Sequence, residues 1–293
     1  MLPLGHILKN NKIAYHNYAD DTQIYIALSP NDYSPIDNLC QCIEQINSWM
    51  RHNFLQLNKD KTEIIVFGAH DKRMKVSAHL ESLSLQTKNK VRNLGVILDS
   101  DLNFNSHINS IIKSAYYHLK NIAKIRGFMS KQDLEKLIHA FISSRLDYCN
   151  GLLTGLSKGA VRKLQLVQNA AARVLTKTKK YEHITPILRS LHWLPVCQRI
   201  EFKVLLIVYK SLNGLGPKYI SDLLSLYIPA RPLRSSETCL LNTIRVKTKH
   251  GEASFSHSAA CIWNKLPEEL KQAQTLNIFK TRLKTFMFCN IYD

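Results

Sequence analysis

The apolar residues of this chain change period near Ser106, and that change limits what each side of it can become. Before it they come in short runs with partial two-residue alternation, the pattern of half-buried strands, interrupted by one helical stretch. After it they recur every three or four residues over long segments, the pattern of packed amphipathic helices. Charge changes in the same region: residues 1–110 carry 11 basic and 11 acidic side chains, and the remainder carries 29 basic and 11 acidic, so the whole formal charge of +18 lies in the second part. With 293 residues and 45% hydrophobic content, the chain can bury a sizeable core in one or two domains. A neutral segment joined to a strongly basic one suggests two jobs, the cationic surface being addressed to a polyanion such as nucleic acid. A solubilising lysine-rich surface is the plainer alternative.

Residues 13–17 and 22–28 are rich in Ile and Tyr, and NYADD between them supplies turn chemistry, so a β-hairpin is predicted with Asp20 and Asp21 at its tip. Ser34, Pro35 and Asp37 read as a helix start, and Ile36, Leu39, Cys40, Ile43, Ile46 and Met50 mark one face of a helix over 35–52. TEIIVFG at 62–68 reads as a short strand, and LSLQ at 83–86 and VRNLGVIL at 91–98 as two more joined through TKNK. Past Ser106, the face made by Ile108, Ile111, Ile112, Ala115, Leu119 and Ile122 predicts a helix. Further helices are predicted near 131–146, 158–176, 183–191, 196–212, 217–226, 254–265 and 275–288, with a loop at 230–239 and a strand in LLNTIRV after it. The expected fold class is α+β, β-hairpins with a helix followed by a mostly helical region, in segments 1–104, 105–229 and 230–293.

An adjacent acid pair in a turn is weak evidence by itself, because such carboxylates commonly face water or accept backbone hydrogen bonds. The order of the motifs after it gives it weight. YADD at 18–21, then a helix, then LQLNKDKTEIIVFG at 55–68 and VRNLGVILDSDL at 91–102 together resemble the last part of the palm of a reverse transcriptase. More narrowly, they resemble the polymerases of non-long-terminal-repeat, LINE-type retrotransposons. SRLDYCNGLL at 144–153, VQNAAARVL at 167–175, LHWLPVCQRIEFKVLLIVYKSLNG at 191–214 and HSAACIWNKLPEEL at 257–270 resemble the helical region after the palm in one group of these elements. The resemblance covers nearly the whole chain. It implies a partial palm over 1–104, a basic thumb-like domain over 105–229 and a C-terminal segment over 230–293.

The resemblance also implies an activity, RNA-directed DNA polymerisation, and roles for particular residues. Nucleotide addition uses two metal ions about 3.5–4 Å apart, and hard Mg²⁺ prefers carboxylate oxygens. Asp20 and Asp21 would be Mg²⁺ ligands, Tyr18 and Ala19 would shape the surface beside them, and Lys61 would lie near the nucleotide triphosphate, neutralising charge or protonating pyrophosphate. Leu94-Gly95 would form the turn of the hairpin that grips the primer. A further metal-binding Asp, the fingers and a Gly-rich substrate motif precede this hairpin in the family, and none is found here. LPLG at 2–5 resembles the stretch just after that Gly-rich motif, so the expectation is a truncated polymerase that is inactive alone. Asp99, Asp101 and Asp147 lie in other motifs and do not replace the missing ligand. No endonuclease or RNase H motif is seen.

The best basic stripe is Lys113, Lys120 and Lys124, spaced by seven and four and therefore on one helix face, with Tyr116 and Tyr117 beside it. Arg199, Lys203 and the KTKK run at 177–180 extend the basic surface. Its expected partner is an RNA or DNA template–primer held through phosphates, with deoxynucleotides bound only if the missing palm and fingers are supplied. The alternative is a nonenzymatic nucleic-acid-binding remnant in which the hairpin is vestigial. Cys239, His250, His257 and Cys261 fit no compact zinc pattern. His183 and His192 lack an arranged Ser or Cys partner for hydrolase chemistry. Seven scattered cysteines, no signal peptide and no long apolar run predict reduced thiols in an intracellular protein, cytoplasmic or nuclear.

Overall fold

The computed structural model describes residues 2–29, 32–83, 85–228 and 239–292. The architecture is α+β and mostly helical, with two separate two-stranded antiparallel sheets, and it divides into two compact units, Met1–Leu102 and Asn103–Asp293.

In the first unit, helix α1 (Leu2–Asn10) precedes the predicted hairpin, β1 (Ala14–Tyr18) and β2 (Asp21–Tyr25), and helix α2 (Ser34–His52) follows it. An isolated two-stranded hairpin is marginal in water and needs an apolar face to lie on. Here Leu4, Leu8, Ile13, Cys42 and Ile46 form a buried cluster, and the cross-strand neighbours Tyr15 and Ile24 pack against it. Gly5 permits this packing: a Cβ there would stand 2.6 Å from the Tyr15 phenol oxygen. On α2 the face read in the sequence is the one covered, with Ile36 and Ile46 buried and Leu39 and Met50 packed on the core, but the buried thiol is Cys42 whereas Cys40 is half-buried. The helix start is also capped differently, since Asp32 accepts from both the backbone N–H and the hydroxyl of Ser34, at 3.1 and 2.7 Å.

Four strand expectations are corrected. Among the described residues TEIIVFG has no ladder partner and makes a single parallel bridge, Ile64 with Thr87. Of LSLQ, Ser84 lies outside the described residues, and Leu83 and Leu85 turn back to donate to the carbonyl of Leu80, ending helix α3 (His70–Ser82) instead of forming a strand. That helix escaped sequence reading because HDKRMKVSAHLES has little apolar periodicity; of its side chains Leu80 is deeply buried, and Arg73 pairs with Asp101 at 2.7 Å. VRNLGVIL is a complete hairpin, β3 (Lys90–Asn93) and β4 (Val96–Asp99). LLNTIRV likewise makes only an isolated bridge, Leu241 with Leu226. The loop expected at 230–239 lies, apart from Cys239, outside the described residues.

The second unit contains α4 (Asn105–Ile125), α5 (Lys131–Ile138), a π-helical turn (His139–Ser143), α6 (Ser144–Asp147), α7 (Lys158–Thr176), α8 (Ile184–Ser190) and α9 (Val196–Leu212). Next come α10 (Lys218–Ser221), shorter than the 217–226 expected, α11 (Lys249–Ala253), α12 (Phe255–Asn264), α13 (Glu268–Lys271) and α14 (Leu276–Tyr292). The apolar stripe of α4 is buried where its spacing predicts, at Ile108, Ile111, Ala115, Leu119 and Ile122. A larger core joins α9 to the C-terminal helices through Val204, Leu205, Val208, Tyr209, Trp263, Phe279 and Leu283. The segments on either side of residue 229 therefore share one core. Among the described residues no helix is long and apolar enough to cross a membrane.

The helical motifs are latched to one another through polar groups. Gln168 Nε2 donates to the Leu194 carbonyl at 2.9 Å, and Gln165 Oε1 accepts the Val196 N–H at 2.8 Å, satisfying a donor at the open end of α9. Tyr209 donates to the Ala273 carbonyl at 2.6 Å and stacks on Phe279 with centroids 4.3 Å apart. Asn264 accepts from the Leu241 N–H and donates to its carbonyl, both at 2.8 Å, and the Trp263 indole donates to the Cys239 carbonyl at 2.9 Å. Buried polar groups that are paired in this way specify one arrangement of the helices.

Candidate functional site

The β1–β2 register pairs Tyr18 with Asp21 and leaves Ala19 and Asp20 as a two-residue turn. Alternation along the strands puts Tyr15 and Ile24 on the face packed against the core and puts His16, Tyr18, Asp21, Gln23 and Tyr25 on the opposite face. Asp20 and Asp21 are both exposed, one in the turn and one on that outer face beside Tyr18. Ala19 holds φ at +54°, a left-handed conformation that costs a non-glycine residue about 1–2 kcal/mol. Such strain persists only where neighbouring structure enforces it, and here it sits directly before the acid pair. His16 stacks on Tyr25 at 5.4 Å, with the phenol 3.3 Å from Nε2, stiffening the outer face.

Lys61 ends a 3₁₀ turn over Lys59–Lys61, where its backbone N–H donates to Asn58 Oδ1 at 3.1 Å. Its side chain is exposed, and among the described residues no ion pair joins it to Asp20 or Asp21. Leu94 and Gly95 form the tight turn of the second hairpin with φ of +44° and +83°. Two successive positive φ values define the turn type that suits the twist of a hairpin, and glycine takes the second without penalty.

The described residues offer Mg²⁺ an incomplete donor set. Asp20 and Asp21 provide exposed carboxylates of the right chemistry, but no group of three or more His, Cys, Asp or Glu among the described residues is placed to hold a metal ion. Two ions sharing two adjacent carboxylates would remain mostly water-coordinated, which is weak binding for an ion that needs fixed octahedral geometry. Asp101 is engaged by Arg73, and Asp99 is buried at the end of β4. The Cys/His grouping near the C-terminus is instead structural: His257 Nδ1 donates to the Ile244 carbonyl at 2.9 Å, which leaves Nε2 to accept from the Cys261 thiol at 3.5 Å.

On α4 of the second unit, Lys113, Tyr116, Tyr117, Lys120 and Lys124 are all exposed, opposite the buried stripe. The helix contains no Asp or Glu. Lys203 is exposed on α9. Arg199 departs from the expected basic surface. Its guanidinium grips the Asp147 carboxylate, Nε to Oδ1 at 2.8 Å and Nη2 to Oδ2, with only 22% and 34% of the two side chains exposed. Such bidentate pairing joins the SRLDYCNGLL motif to the start of α9 and is a packing role.

Comparison with protein-family models, with curated proteins and with solved structures gives no match. The functional reading therefore rests on residues and geometry.

Proposed function

We propose that this chain is part of a LINE-type RNA-directed DNA polymerase: the later palm, bearing Asp20 and Asp21, followed by a basic helical region that grips the template–primer. The observation that carries the reading is the acid pair itself, raised on a strained hairpin tip and followed in order by the motifs that resemble the family. Supporting it is the acid-free, lysine-bearing face of α4, suited to phosphates irrespective of sequence. Asp20 and Asp21 would supply carboxylates for Mg²⁺, which in the complete enzyme activates the primer hydroxyl and stabilises the leaving oxygen. Because their donor set is incomplete, nucleotide transfer is expected to need further protein ligands, and the 293-residue chain is expected to be inactive alone. Primer extension on an RNA template with Mg²⁺ tests this. Extension that Asp20→Asn abolishes would show that these residues suffice.

A second reading, a nonenzymatic nucleic-acid-binding protein, is favoured by the same incomplete donor set. It predicts duplex binding that survives Asp20→Asn and Asp21→Asn. In both readings, changing Lys113, Lys120 and Lys124 to Gln should weaken binding and lower the slope of log affinity against log salt by about 3, close to one per lost contact.

A further inference from the structure

We infer that the exposed face of α4, together with the π-helical turn beside it, forms a stacking site for unpaired bases, so that this surface takes single-stranded nucleic acid in preference to duplex. The inference deepens the basic-face reading and rests on it. Lys113, Tyr117, Lys120 and Lys124 stand at intervals of four, three and four, so a ring lies within the line of cations. Tyr117 is 65% exposed, far more than an aromatic residue needs if its purpose is packing.

Its neighbour His118 extends the ring surface. His118 meets Tyr117 edge-on, with centroids 5.3 Å apart, and stacks on Phe141 at 5.0 Å with the planes 25° from parallel. Arg145 Nη2 lies 3.1 Å from His118 Nε2, which brings a guanidinium, a pure donor, to the edge of the ring. Phe141 is 40% exposed, and it belongs to the π-helical turn His139–Ser143. A π turn costs hydrogen-bond geometry and re-aims the side chains that follow; such turns concentrate at functional sites. Here the turn presents a ring to His118, and Arg145 adds a fourth cation.

Aromatic rings among cations match the chemistry of a flexible strand, whose phosphates meet the lysines while its unstacked bases lie on the rings. A duplex has its bases already stacked on each other and can use only the lysines. An acidic protein would also meet the lysines, but it would leave the Tyr117 and Phe141 faces without flat partners. Any base has such a face, so little sequence preference is expected.

Fluorescence anisotropy of the full chain with an oligothymidylate, and with a duplex of matched phosphate number, tests the proposal. Wild type should bind the single strand more tightly. Tyr117→Leu and Phe141→Leu should each weaken single-strand binding about fivefold or more while changing duplex binding little. Tyr117→Phe, which keeps the ring, should bind as wild type does. If Phe141→Leu disturbs folding, Tyr117→Leu against Tyr117→Phe at the exposed position decides alone. Equal losses on both ligands, or no loss on either, overturn the inference. If the lysine-to-glutamine variants weaken binding but the ring variants do not, the basic-face reading stands and this one falls. If neither oligonucleotide binds wild type, both fall.

Discussion

The two units solve the problem of stability differently, and the difference separates a light aliphatic core from a heavy aromatic one. In the first, a neutral unit, short strands lie on aliphatic side chains and Cys42, and the adjacent carboxylates of Asp20 and Asp21 stand exposed at the hairpin tip. In the second, which carries the whole net positive charge, aromatic rings fill the core and buried amides and phenols latch successive helices together. Rings such as Trp263 and Phe279 bury about 150–250 Å² each, so a few of them outweigh many aliphatic contacts. That interior offsets the repulsion of a cationic surface, which in the first unit is absent. An exposed acid pair on a light scaffold and a net positive charge on a heavy one is the division between the two halves.

Removing interior contacts should expose this contrast most strongly. Phe279→Ala, at a ring with no exposed surface that stacks on Tyr209, should cost about 3–5 kcal/mol and lower the denaturant midpoint of the second unit. Leu8→Ala, at a fully buried position under the hairpin, should cost about 3 kcal/mol and erode hydrogen-exchange protection in β1 and β2, leaving α12 and α14 protected. Loss of protection in both units after either change would break the comparison. Asp147→Ala leaves the Arg199 guanidinium half-buried without its carboxylate and should cost about 2 kcal/mol in chemical denaturation.

The smallest effect is a pH dependence carried by Glu201 of the second unit. Burial pushes the Glu201 carboxyl above its ordinary value, and the Lys265 charge opposes this only in part. Because the folded state holds that proton more tightly, the associated stability is fully present below the ordinary carboxylate range and is lost as pH rises through the raised value. Glu201→Gln should therefore raise Tm at neutral pH, with the gain vanishing near pH 4, the unfolded carboxyl range, as melting curves across pH would show. A gain that persists in acid would assign the effect to packing instead.

Helices with strong periodicity were legible from the chain. The apolar stripe of α4 falls where spacing puts it, and α7 and α9 form over the ranges expected, because a long amphipathic helix needs only one face covered, whichever partner covers it. The first hairpin was legible too, since turn chemistry and alternation agree in HNYADDTQIY. Strands were harder, because a strand exists only with a partner. TEIIVFG and LLNTIRV have strand composition yet find one bridge each, whereas four residues on either side of Leu94-Gly95 pair fully. At the candidate site, exposed Asp20, Asp21 and the α4 lysines could be read from spacing. Nothing in the sequence announced that Arg199 would be consumed by Asp147, fifty-two positions earlier, or that a π turn would bring Phe141 to His118.

What the sequence determined by itself was local: the periods that make helices, the turn that lifts the acid pair, and the placement of charge in the second unit, all consequences of spacing and composition. Tertiary structure decided which polar and charged groups remain free for a ligand. That depends on distances between residues far apart in the chain, which pair some cations, bury some carboxylates and assemble rings that no window of sequence contains.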